Sequence, residues 1–272
     1  MSRARCMLAA AWSVAAFLLL PAYAHDLWLV PPEAAAAVKS PVQVAIAVGM
    51  DFPNSEDAPD PAGMQGRVVG PDGAPRPLSS WKQLREQKRT LVEFTPADPG
   101  AHLVYLETQP KRIELQADQF NAYLLHDGLP QVLAERMDKG EMGRPAVERY
   151  SKYVKALLPV SGHRGGTAAT WRAGQRLEIL PRSNPLELQP GDTLEVQVLF
   201  EDQPLVRANL CWDEPGNGED FSGQTWTDAG GVAVVPIARR GLMTLRLIHM
   251  TRPQEEEYEW ESFWSSFTFR VE

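Results

Sequence analysis

The chain has 272 residues and a net charge of −8, which becomes −10 once a leader carrying Arg3 and Arg5 is removed. Such an acidic balance gives no general attraction to phosphate backbones or anionic lipid, so neither nucleic acid nor a membrane surface is an expected partner. Of the cysteines, Cys6 lies in the leader and Cys211 stands alone, so no intramolecular disulfide is expected, and 23 prolines and 20 glycines point to the many turns of a β protein.

Arg3 and Arg5 precede an apolar run ending at Leu20, and the small residues Ala22 and Ala24 occupy the −3 and −1 positions of a signal-peptidase site. Residues 1–24 therefore read as a signal peptide, export to the periplasm follows, and His25 becomes the first residue. No second apolar run reaches the roughly 20 residues needed to span a bilayer, so no membrane insertion is expected after the leader is lost. A histidine at a free terminus carries two donors, because its α-amine and Nδ1 close a six-membered chelate on one metal ion. The amine has a reference pKa of about 7.7 to 8, and bound metal holds it deprotonated. The plain alternative is a frayed terminus. Against it, Leu27, Trp28 and Leu29 followed by Pro31 and Pro32 read as an ordered strand.

Further along, Val42, Val44, Ile46 and Val48 alternate with other residues as in a half-buried strand, which ends at Gly49 and Met50. The acidic, proline-rich stretch 54–62 reads as a loop. Val68 and Val69 lead into the turn Pro71-Asp72-Gly73, and 91–94 and 101–106 are two more strands. Residues 25–115 are thus expected to form an N-terminal β-sandwich. From Gln116 the pattern changes to Phe120, Tyr123, Leu124, Val132 and Leu133 near helical spacing, divided at Gly128 and Pro130. A third helix is predicted after Pro145, with Val147, Tyr150, Val154 and Leu157 on one face, so 116–160 reads as a helical connecting segment. Residues 161–272 return to short strands separated by turn signals at 190–192, 202–204 and 228–231, the spacing of an Ig-like sandwich. The expected fold class is mainly β, with two Ig-like β-sandwich domains joined by a short helical segment.

No His-Glu-x-x-His, Walker loop, Gly-x-Ser-x-Gly elbow or Cys-x-x-Cys occurs, so no enzyme activity is expected and a site must be assembled from distant segments. His249, at a predicted strand end, is the preferred partner of His25. An amine and two imidazole nitrogens suit copper(II) or nickel(II), while the plain reading of His249 is a hydrogen-bonded strand histidine. His126 comes second, at the bend before Gly128, where helix-end histidines are often solvated. Met50 and Met250 offer thioethers suited to copper(I), although methionine is more often core filler. His102 alternates with Val104 and Leu106 and reads as core or interface, His163 as exposed, and Cys211 as a buried, inert thiol. The glutamate run at 255–259 reads as a solvated loop or as a cation-attracting one.

Several stretches resemble the domain of unknown function 4198 family. They are His25-Asp-Leu-Trp-Leu, Phe120-Asn-Ala-Tyr-Leu with Gly128-Leu, Arg149-Tyr-Ser-Lys-Tyr, Leu177-Glu-Ile-Leu-Pro, the segment from Gly241 to Met250, and Trp260 to Phe269. Together they span essentially the whole chain after the leader. Proteins of this family are described as NikM-like, by likeness to the small component that delivers nickel or cobalt to uptake transporters through an N-terminal histidine site. The resemblance implies a periplasmic, β-rich, metal-handling protein with His25 as a ligand and His249 as a candidate partner. In one departure, many members carry a histidine after the glycine where this chain has Met50, a softer ligand or none.

The expectation is therefore a secreted periplasmic protein that binds a divalent transition metal, nickel, cobalt or copper, through His25, with His249, Met50 or His126 completing the site. It would capture the ion or pass it to a membrane metal transporter. Two alternatives use the same chain differently: a metal-free binding or structural β-sandwich module, and a copper-dependent oxidase built on the same histidine brace.

Overall fold

The computed structural model describes residues 25–218, 220–255 and 257–272; the expected signal peptide, 1–24, lies outside the described residues. The protein is mainly β, with 48% strand and 12% helix. In chain order come β1 (Asp26–Val30), β2 (Val42–Gly49), β3 (Met64–Val69), β4 (Pro75–Pro77), β5 (Ser80–Leu84), β6 (Arg89–Phe94), β7 (Gly100–Thr108) and β8 (Lys111–Leu115). Helices α1 (Ala117–His126) and α2 (Pro130–Asp138) follow, and then β9 (Ala146–Val160), β10 (Leu177–Pro181), β11 (Thr193–Phe200), β12 (Gln203–Pro204) and β13 (Asn209–Asp213). The chain ends with β14 (Gly223–Trp226), β15 (Val232–Pro236), β16 (Gly241–Thr251) and β17 (Trp260–Val271).

Three sheets result. A central nine-stranded sheet runs β14-β13-β16-β17-β9-β7-β3-β4, with β8 also paired to β9. A four-stranded sheet, β1-β2-β6-β5, lies over one face, and a second, of β10, β11, β12 and β15, lies over the other. Side chains alternate along each central strand, so a strand covered on both faces feeds two cores. Val154, Ala156 and Leu158 of β9 join Leu29, Val44, Ile46 and Val92, whereas Tyr153 and Leu157 join Leu177, Ile179, Leu194 and Val196. The two apolar cores thus lie on opposite faces of one sheet.

The third helix expected after Pro145 is absent: residues 146–160 form β9, paired antiparallel with β7 and parallel with β17. A strand buried on both faces loses the period-2 signature, and its continuous apolar run is open to a helical reading. Lys152 and Lys155, whose charges suit the solvated face of a helix, are both buried. Lys155 Nζ lies 3.0 Å from Glu178 Oε1, both side chains being 1% exposed.

Helices α1 and α2 stand where the spacing puts them. Phe120, Tyr123, Leu124 and Val132 pack on Ile248, Met250, Trp260 and Trp264, on the same side of the central sheet as β1 and β2, and Tyr123 stacks on Trp264 at 5.6 Å between centroids. The turn between the helices depends on Gly128, whose φ is +71° and where an added Cβ would lie 1.9 Å from Asn209 Nδ2. Among the described residues no helix is long and apolar enough to cross a membrane.

Candidate functional site

His25 immediately precedes β1, whose ladder with β2 ends at the pair Asp26 and Gly49. Continuing that register sets His25 across from Met50, the residue after β2. The loop that follows folds back so that Ser55 accepts the Val48 N–H at 2.9 Å and Glu56 N–H donates to the Val48 carbonyl at 2.8 Å. This fixes the Glu56 carboxylate between two groups. Its Oε1 accepts the Met50 N–H at 2.9 Å, and its Oε2 lies 3.0 Å from His25 Nε2. Gly49 lets it approach, since a Cβ there would be 3.0 Å from Glu56 Oε1. The His25 and Glu56 side chains remain 40% and 49% exposed, open to solvent from one side.

Behind His25 the chain is tied down. Lys152 Nζ donates to the His25 carbonyl, and Ser266 Oγ donates to the Leu27 carbonyl at 2.8 Å. Asp26 is buried and forms an ion pair with Arg246 of β16, whose Nε lies 2.8 Å from Asp213 Oδ2. Burial pushes the Arg246 guanidinium down to about 9 and the Asp213 carboxyl up to about 7. The contact between them opposes both trends, because each charge favours the charged form of the other. The Arg246 guanidinium sits 4.2 Å above the Phe221 ring, and the His126 ring lies 5.4 Å from that ring. His126 Nδ1 is 3.1 Å from Asp127 Oδ1, a carboxylate that burial pushes up and His126 pulls down.

Of the four residues singled out from the sequence, His25 and Met50 are therefore brought side by side, and His126 stands on the same flank beyond Phe221. His249 is on the other side of the sheet. Arg246, Ile248 and Met250 of β16 face Asp26 and the helices, whereas His249 shares the face of Leu245 and Leu247. Its ring meets Phe200 at 4.4 Å and Phe263 at 6.4 Å, and burial lowers its pKa to about 4. A strand-end position suggested a ligand, but strand parity decides which side of the sheet a residue serves. Met250 is packed among the aromatics of the helix-facing core.

Among the described residues no three His, Cys, Asp or Glu side chains gather into a ready metal cage. His25 with Glu56 needs a further donor, and the α-amine of His25 is the one that removal of 1–24 would supply. The sequence reading passed over Glu56, Lys152, Asp26 and Arg246. A charged residue in the middle of an apolar strand, as at 152 and 246, is the signal that marks Lys152 and Arg246 as buried.

Other residues fall as expected. Cys211 is buried, and burial drives its thiol far above its usual range. His102 is buried against Phe94, with Nδ1 3.1 Å from the Gly100 carbonyl. Two residues of the glutamate run meet β9: Glu255 pairs with Arg149 at 3.4 Å and Glu259 accepts the Val147 N–H at 3.2 Å, while Glu261, beyond the run, pairs with Arg149 at 3.0 Å.

The pattern of the domain of unknown function DUF4198 matches residues 22–251. The chain belongs to this family. The DUF4198 match takes in every residue of the site just described except Ser266, whose tie to β1 comes from β17. None of the curated proteins compared matches the sequence. Similar solved structures include the D0-D1 domain of intimin, at 11% identity over 90% of this chain and 97% of that one with a TM-score of 0.23. Others are a Salmonella alpha-2-macroglobulin, at 13% identity over 91% of this chain and 15% of that one with a TM-score of 0.25, and bovine butyrophilin, at 10% identity over 88% and 97% with a TM-score of 0.22. TM-scores at this level carry no functional information.

Proposed function

We propose that this DUF4198 protein is a secreted, non-enzymatic metal-binding protein of the periplasm that captures or passes on nickel, cobalt or copper, with His25 as its first residue after export. The observation that carries the reading is the Glu56 carboxylate 3.0 Å from His25 Nε2. A carboxylate on that nitrogen favours the tautomer with the proton on Nε2, which leaves Nδ1 bare. Nδ1 is the nitrogen that forms the chelate with the residue's own α-amine, and a carboxylate on the remote nitrogen is how metal-bound imidazoles are held and made more basic.

Three features support this assignment. Glu56 is itself fixed by the Met50 N–H, so its aim does not depend on solvent. The strand carrying His25 is anchored by Lys152, Ser266 and the Asp26–Arg246 pair, so the terminus is not free to fray. Met50 lies across the ladder with a soft thioether, and His126 stands on the same flank, so either can add a further donor. The family resemblance to NikM-like components favours nickel or cobalt as cargo and a membrane metal transporter as its recipient.

Calorimetric titration of Ni²⁺, Co²⁺ and Cu²⁺ into protein whose N-terminus has been verified as His25 tests the reading. One equivalent of metal is expected to bind, and one extra residue ahead of His25, or His25→Ala, is expected to abolish binding. Glu56→Gln is expected to weaken it by about 10- to 100-fold. Unchanged affinity in His25→Ala would overturn the assignment, as would a secreted form that begins elsewhere.

A further inference from the structure

A cavity of about 410 Å³ opens between the β1-β2-β6-β5 sheet and the central sheet, lined by the buried Leu27 and Lys152 together with Met64, Tyr150, Lys111 and Arg85. Its position next to the terminus follows from two contacts: Leu27 is in β1, and the Lys152 ammonium holds the His25 carbonyl. The β8–β9 register pairs Lys111 with Tyr150, and Lys152 is two residues further along β9, so both ammonium groups are borne on one face.

This juxtaposition is costly. Lys152 is 8% exposed, and its ammonium sits 4.5 Å from the Trp264 ring centroid. Among the described residues no carboxylate lies within 4.0 Å of Lys152, Lys111 or Arg85. Asp57 and Asp60 also line the cavity, but each spends Oδ1 on a backbone N–H of its own turn, that of Ala58 at 2.7 Å and of Ala62 at 2.9 Å. Three basic side chains thus share one cavity, none of them in contact with a carboxylate among the described residues, and the buried Glu148 reaches Lys152 only through its field. An anion would give these side chains the contact partner they do not have, and the space is that of a small-molecule site, which runs from about 300 to 1,000 Å³, rather than of a single inorganic ion.

We propose that this cavity binds a small organic carboxylate through Lys152, Lys111 and Arg85, and that the bound anion shares the metal held at His25, so that the cargo is a metal chelate rather than a bare ion. The second half rests on the function proposed above; the first does not. Carboxylate oxygen and imidazole nitrogen are compatible donors for one divalent ion, and Lys152 holds the backbone carbonyl of His25.

Equilibrium dialysis with labelled citrate, on metal-free protein beginning at His25 and then on nickel-loaded protein, separates the two halves. Metal-free wild type is expected to bind one citrate, the double variant Lys111→Ala/Arg85→Ala to lose at least tenfold in affinity with its circular dichroism unchanged, and His25→Ala to bind as wild type does. Nickel is expected to raise citrate affinity at least tenfold in wild type and not at all in His25→Ala. No citrate binding, binding indifferent to the double variant, or displacement by an equal concentration of inorganic phosphate would overturn the carboxylate site. Citrate binding that nickel leaves unchanged in a protein that does bind nickel would overturn metal sharing alone. A wild type that binds citrate and no nickel would instead sink the function proposed above.

Discussion

Replacing Glu148 by glutamine tests how the buried polar layer beneath the helices is held. Glu148 is fully buried in β9, where Ser262 donates its hydroxyl to the carboxylate and Trp264 Nε1 donates to Ser262 Oγ at 2.9 Å. Burial is the largest influence on it and pushes its pKa from 4.5 to about 7, against the pull of Ser262 and of Lys152. A carboxyl raised in the folded state leaves stability intact below pH 4.5, where both states are protonated. As pH climbs towards 7 the unfolded chain releases the proton and the folded chain does not, so stability falls. At about 1.4 kcal/mol per pH unit, the wild type should lose about 2 to 3 kcal/mol relative to Glu148→Gln between pH 4.5 and 6.5. That interval lies below the point, about 7, to which burial lowers Lys152, so the lysine is mostly charged across it. Urea titrations at half-unit steps, followed by tryptophan fluorescence, read the difference directly. Parallel stability curves for the two proteins would refute the reasoning, because they would mean that the carboxyl keeps its ordinary affinity for protons despite its burial.

Three other outcomes follow from geometry. Lys155→Met leaves Glu178 buried without its ammonium and should cost about 3 to 5 kcal/mol in chemical denaturation, while the double change with Glu178→Met should recover most of it. Gly128→Ala forces a Cβ into Asn209 Nδ2 at a left-handed φ and should lower Tm, with faster amide exchange in α1 and α2 if the turn is what yields. His249→Phe fills the same aromatic nest with Phe200 and Phe263 and should leave metal binding at wild-type strength, which calorimetry will show.

The parts of the fold legible in the sequence are those where one signal dominates. β2 alternates from Val42 to Ile46, where one face meets the core, and α1 and α2 are bounded by Gly128 and Pro130. β9 was illegible for the opposite reason: two cores claim its residues, and two buried lysines imitate a solvated face. At the site, His25 could be read because processing chemistry marks it, and Met50 because it ends the strand opposite. Glu56 could not, since it lies in a loop whose path is set by the Ser55 and Val48 contacts rather than by any periodicity. His249 was misplaced beside His25 because proximity to a strand end is visible in a sequence, while the side of a sheet emerges only once its neighbours are known.

The double duty of β9 has a mechanical consequence. A cut after residue 145 or before 161 would leave one fragment holding β9 and the other lacking an inner wall, so neither half has a natural edge at which to be excised. Heat, denaturant or protease should then find one cooperative object, and damage far out in the β10–β11 layer should be felt at the terminus through the strand they have in common.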